Sequence, residues 1–179
     1  MIRFNCCLLV EGESSVLDKF TRDAEGVYPG YASSGCVSCR IQGGPECSPE
    51  YALSFHSLVP IPDEKLQGGW TRAGEYWEIA NWGAKGGATD IQRTRISDSR
   101  LMYTFTTEGA LPKEVFRRAS ETCSDIRFIL AGYSEETGLP GDFYEFIQGE
   151  SRFLEERSCS SIDDLCSRVL ETDQPSVSA

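Results

Sequence analysis

The stretch EIANWGAKGG, residues 78–87, decides how the middle of the chain is read. Its glycines and lysine suggest a loop built to hold a phosphate, but such a loop places its glycines between a strand and the start of a helix, so that backbone N–H groups converge on the anion. Here the glycines follow a helical segment. Lys85 precedes Gly86 and Gly87, and no Ser or Thr follows it at the Walker spacing. Gly83 is therefore read as the left-handed residue that ends a helix, with Lys85 near the negative end of the helix dipole.

Working outward, the spacing predicts a helix over 73–82, with Ala73, Tyr76, Trp77 and Ala80 on one side. Strands over 89–96 and 101–107 flank the turn residues Ser97, Asp98 and Ser99, giving a hairpin. Pro112 opens a helix whose apolar face is Val115, Phe116, Ala119 and Cys123. Residues 126–133 form an apolar central strand, residues 142–148 form another, and Ser160 and Ser161 introduce an amphipathic helix carrying Ile162, Leu165, Cys166, Val169 and Leu170. Toward the N-terminus, Phe4, Cys6, Leu8 and Val10 alternate as a strand. Ser14 and Ser15 are placed to cap a helix with Val16, Leu17, Phe20 and Ala24 inward. Residues 26–50 lack any period and read as an inserted loop, and Tyr51 to Val59 restores a period of two, a strand stopped by Pro60 and Pro62.

This order predicts an α+β fold, a ferredoxin-like split βαβ sandwich: one antiparallel sheet with helices on one face, plus an inserted helix and a C-terminal helical extension. The expected division is a ferredoxin-like domain over 1–148 and an acidic helical extension with a frayed tail over 149–179.

Several short motifs carry a resemblance. Val59-Pro60-Ile61-Pro62, Trp77, Asn81-Trp82-Gly83-Ala84-Lys85, Tyr103 to Thr107 ahead of Pro112, and Tyr133, Glu135, Glu136 and Gly141 together resemble the YubB-like ferredoxin-like domain family of phage and plasmid accessory proteins, over about residues 3 to 145. The resemblance implies a ferredoxin-like fold and a mobile-element origin, with no iron–sulfur cluster and no established activity. Ala84 replaces the family's usual Thr or Ser, and Gly86-Gly87 stand where it has Trp-Asp, so only Trp82, Gly83 and Lys85 are carried over as candidate binding residues.

Composition narrows the function classes. The 179 residues, 40% apolar and 25% charged, suit one domain with its own core. The apolar start has no small-residue cleavage site after it and no run approaches membrane-spanning length, so a chain of the bacterial host cytoplasm is expected, its eight scattered cysteines reduced. The net charge is −11. Residues 134–179 hold eleven acids against three arginines, a net −8, leaving −3 for residues 1–133. Such an acidic third repels nucleic-acid phosphates and attracts basic surfaces.

The remaining candidate residues each have a functional and a structural use. Cys36, Cys39 and Cys47 with His56 supply four zinc-type ligands, though their spacing lacks the second tight doublet of a strong zinc pattern and fits unliganded loop thiols. His56 is the one histidine, placed on the expected strand, where a structural role outweighs that of a base. Paired acids such as Asp63-Glu64, Glu135-Glu136 and Asp163-Asp164 fit solvated turns and helix starts better than a cation site. Arg93 and Arg95 share a strand face, with Arg100 nearby; they suit an anion or RNA backbone, or pairing with the protein's own acids. Trp70, Trp77 and Trp82 with Tyr76 form an aromatic set read chiefly as core.

The expected function is that of a non-enzymatic accessory protein that binds a host protein with a basic surface, with no cofactor. Two alternatives are a small-molecule or nucleotide binder, a hydrolase among its forms, with a pocket near Lys85, and a zinc-stabilised recognition module.

Overall fold

The computed structural model describes residues 2–28, 51–66 and 72–172. In chain order these form β1 (Arg3–Glu11), α1 (Ser14–Ala24), α2 (Phe55–Leu58), α3 (Asp63–Leu66), α4 (Arg72–Trp82), β2 (Lys85–Ser97), β3 (Arg100–Glu108), α5 (Lys113–Thr122), β4 (Arg127–Tyr133), β5 (Gly141–Ile147), β6 (Glu150–Arg157) and α6 (Ile162–Thr172). The strands make one mixed-connection but wholly antiparallel sheet in the order β2-β3-β1-β4-β5-β6, so the α+β class stands.

β1 lies in the interior of the sheet because it is apolar on both sides. Cys6, Leu8 and Val10 face the larger core, built with Leu17 and Phe20 of α1, Phe55 of α2, Trp82 of α4 and Phe116 of α5. Cys7 and Leu9 face the other side, where Met102, Ile129, Ala131 and Phe143 meet Leu165 and Val169 of α6. The expectation of helices on one face is thereby corrected. A strand with apolar residues at successive positions needs cover above and below, and α6 supplies the second layer. Its start is fixed locally: Ser161 Oγ accepts the Asp164 N–H at 3.1 Å, while the Asp164 carboxylate accepts the Ser160 N–H at 3.0 Å.

Other expectations change as well. Residues 51–59 are not a strand: Ser54 Oγ accepts the Ser57 N–H at 3.2 Å and caps α2, which buries Phe55, and only Tyr51 retains a bridge, to Gly26. Ser14 and Ser15 do not cap α1; Glu13 stands at that position without a side-chain bond. The segment after 148, expected as helical, opens with β6, which pairs with β5 from Gly141↔Arg157 to Ile147↔Glu150. The turn between them, Gln148-Gly149, has φ of 50° and 83°, the doubly left-handed geometry of a tight hairpin, so the expected boundary at 148 falls inside a hairpin.

No helix among the described residues is long and apolar enough to cross a membrane.

Candidate functional site

The opening stretch ends a helix. Gly83 has φ +84°, its N–H donates to the Ile79 carbonyl at 3.1 Å, and a Cβ there would stand 3.0 Å from the Lys113 backbone nitrogen. The face that α4 turns inward differs from the expected one. Gly74, Glu78 and Trp82 are buried, whereas Ala73 and Ala80 are exposed and Tyr76 is 70% exposed.

Glu78, 0% exposed, explains the rotation. Its Oε1 accepts from the Tyr28 hydroxyl at 2.6 Å and its Oε2 accepts from the Gly86 N–H at 2.9 Å. Gly86 and Gly87, with φ of +81° and +75°, let the chain turn so that the Gly86 N–H meets this carboxylate. The glycine-rich stretch does cradle an anion, and the anion is the protein's own. Burial pushes the Glu78 carboxyl above its ordinary range, opposed by these two hydrogen bonds.

The other candidate binding residues do not converge on one site, although Arg93 and Arg95 together line a cleft of about 390 Å³ with Arg22 and Asp18. Trp82 is core: its Nε1–H donates to the Val59 carbonyl at 2.9 Å, and Trp77 packs edge-on against it at 5.8 Å. Lys85 pairs with Glu75 at 2.9 Å, and the cavity lined by Tyr28, Tyr51 and residues 86–89 measures about 10 Å³, room for roughly one water. Arg93 pairs with Glu25 at 2.6 Å, and Arg95 with Asp18 at 2.7 Å and with Ser14 Oγ at 2.9 Å, so both serve to dock α1 on β2. His56 lies on α2 rather than a strand; its Nδ1 accepts the Ile61 N–H at 3.0 Å, and burial lowers its pKa. Cys36, Cys39, Cys47 and Trp70 lie outside the described residues.

Two further arrangements form only once the sheet is assembled. The first is a ladder of alternating charge on the α6 side of the sheet. Arg100 Nε meets Glu11 at 2.9 Å, Arg127 bridges Glu11 at 2.8 Å and Glu145 at 2.7 Å, and Arg152 closes on Glu145 at 2.7 Å. It ties β3, β1, β4, β5 and β6 together, with the buried Glu145 at its hub.

The second lies in the acidic third. Its three arginines are committed: Arg152 to Glu145, Arg157 to Glu155 and Glu171, Arg168 to Asp164. Among the described residues, Glu135, Glu136, Asp142, Glu150, Glu156 and Asp163 make no ion pair. Asp142 and Glu156 are direct cross-strand partners, an arrangement that raises the energy of the sheet.

No protein-family model matches the chain, and no curated protein matches it. Among solved structures it is similar to the crystal structure of protein api92 from Yersinia pseudotuberculosis, described with the family model DUF1281. The identity is 10%, the TM-score 0.62, and the match covers 90% of this chain and 99% of that one. The likeness is one of fold.

Proposed function

We propose that this chain is a ferredoxin-like accessory protein of phage or plasmid type, acting in the bacterial cytoplasm by binding a host protein through its acidic C-terminal surface. The order β2-β3-β1-β4, with α1 and α5 following β1 and β3, supports the split βαβ assignment. The family resemblance of residues 81–85 supports the mobile-element origin.

One observation carries the binding role: six carboxylates of residues 134–172 remain without an ion pair among the described residues, while every arginine of that segment is engaged. Such a surface attracts a basic partner and speeds its encounter. The nucleotide-binding alternative is weaker, because Lys85 is held by Glu75 beside a cavity of about 10 Å³. Capture from bacterial lysate at low and high salt, with mass-spectrometric identification, tests the reading. Retained proteins with basic isoelectric points that elute as salt rises support it; a set that contains nothing salt-sensitive overturns it.

A further inference from the structure

Three arginines of this acidic chain gather in the cleft of about 390 Å³ between α1 and the β2–β3 hairpin. Asp18, Thr21 and Arg22 line it from α1, Arg93 and Arg95 from β2, and Leu101 from β3. Arg93 and Arg95 are only 33% and 34% exposed, held by Glu25 and Asp18 in turn. Arg95 is fixed further by Ser14 Oγ and by the Ser97 and Asp98 carbonyls, so four of its five donors are spent. Arg22 is exposed and makes no ion pair or hydrogen bond among the described residues. Three guanidiniums thus face two carboxylates, a local net +1 in a chain whose net charge is −11.

The bonds that dock α1 on β2 leave a surplus of donors. One Nη1 hydrogen of Arg95 is unspent, Arg93 gives one bond to Glu25, and all five donors of Arg22 are open. The docked pair is already ordered, so an anion that enters the cleft meets two guanidiniums whose side-chain entropy has been lost beforehand. We propose that this cleft binds a phosphate dianion, Arg93 and Arg95 donating to it from β2 while Arg22 closes on it from α1. A carboxylate fits less well, because it is planar with a single charge and Asp18 and Glu25 already fill that place. A phosphate monoester carries about −1.5 to −2 charge near neutral pH and three terminal oxygens, so it accepts charge-assisted bonds from both walls at once. A nucleic-acid backbone is also less suited. Each of its phosphates carries one charge, and the rest of the chain, −12 once this local +1 is set aside, repels a duplex.

The cleft lies outside the acidic third, so its failure leaves the acidic-surface reading untouched. The test is isothermal titration of the full chain at low salt with inorganic phosphate and, separately, with phenyl phosphate. Saturable binding is expected. Arg22→Ala, which removes no bond within the described fold, is expected to weaken it about tenfold without lowering the unfolding midpoint. Arg22→Lys keeps the charge without the fork and is expected to weaken it about threefold. Asp18→Asn removes a competing carboxylate and is expected to tighten binding about threefold, whereas Glu150→Gln, the same change of charge on β6, shifts it less than about twofold. Arg152→Ala, on the sheet edge opposite β2, also shifts it less than about twofold. Tighter binding of phenyl phosphate assigns a monoester whose organic part rests on Leu101, and equal binding assigns the free anion; either result supports the site. No saturable binding of either compound, or equal losses from Arg22→Ala and Arg152→Ala, overturns it. A DNA duplex that binds the wild type and not Arg22→Ala overturns it in favour of nucleic acid.

Discussion

Asp142 on β5 and Glu156 on β6 are directly opposed cross-strand partners, two carboxylates where a sheet ordinarily places opposite charges or an apolar pair. Asp142→Asn removes the repulsion and is expected to raise unfolding stability by about 0.2–1 kcal/mol, a gain that shrinks as salt rises. Urea unfolding of both chains at two ionic strengths checks this. A less stable variant would mean that Asp142 is satisfied within the fold rather than reserved for a partner.

Glu78 holds the start of β2 to α4 through Gly86 and reaches the Tyr28 hydroxyl. Glu78→Ala strands both donors and opens a cavity, and is expected to cost about 2–4 kcal/mol in urea unfolding. Tyr28→Phe, which removes one donor, should cost about 1 kcal/mol.

The same residue sets a pH dependence. Burial raises the folded-state pKa of Glu78 above its ordinary 4.5, so the folded protein holds this proton more tightly than the unfolded chain does. Its contribution to stability is therefore present in full below about 4.5 and is lost as pH rises through the raised value. Unfolding of wild type and Glu78→Gln between acid and neutral pH isolates it: the difference between the two should change across that window. A difference flat with pH would refute the assignment.

The ladder from Arg100 to Arg152 turns on Glu145, which accepts from both Arg127 and Arg152. Glu145→Gln is expected to cost about 1–3 kcal/mol, because two guanidiniums lose a charged acceptor that lies largely out of water. Arg152→Ala, at a mostly exposed residue, should cost less than about 1 kcal/mol. Equal costs at the two positions would mean that the ladder has no buried hub.

Much of the fold is legible in local signals. Gly83 ends its helix, the Asp98-Ser99 turn joins β2 to β3, and Ser160 and Ser161 precede α6 as their residue types require. The second covered face was also written in the sequence, since Cys7 and Leu9 are as apolar as Cys6 and Leu8, so both alternating sets of β1 need cover. Tyr51 to Val59 misleads because a single serine hydroxyl at Ser54 redirects an apparent strand into a helical turn. The sites were far less legible. Glu78 finds Tyr28 fifty positions away and Gly86 eight away. Asp142 and Glu156 become neighbours only through the register of β5 and β6. Helical periodicity assigns Tyr76 to the core because it weighs hydrophobicity alone, while the hydrogen bonds of Glu78 select the opposite face.

The central claim about the molecule is that its acidic third is a surface for basic partners. Isothermal titration of the full chain with an arginine-rich peptide and, separately, with a DNA duplex, each at two salt concentrations, addresses this directly. Saturable binding of the peptide that weakens as salt rises, with no binding of the duplex, is expected. Binding of the duplex, or no binding of the peptide at the lower salt, would contradict it.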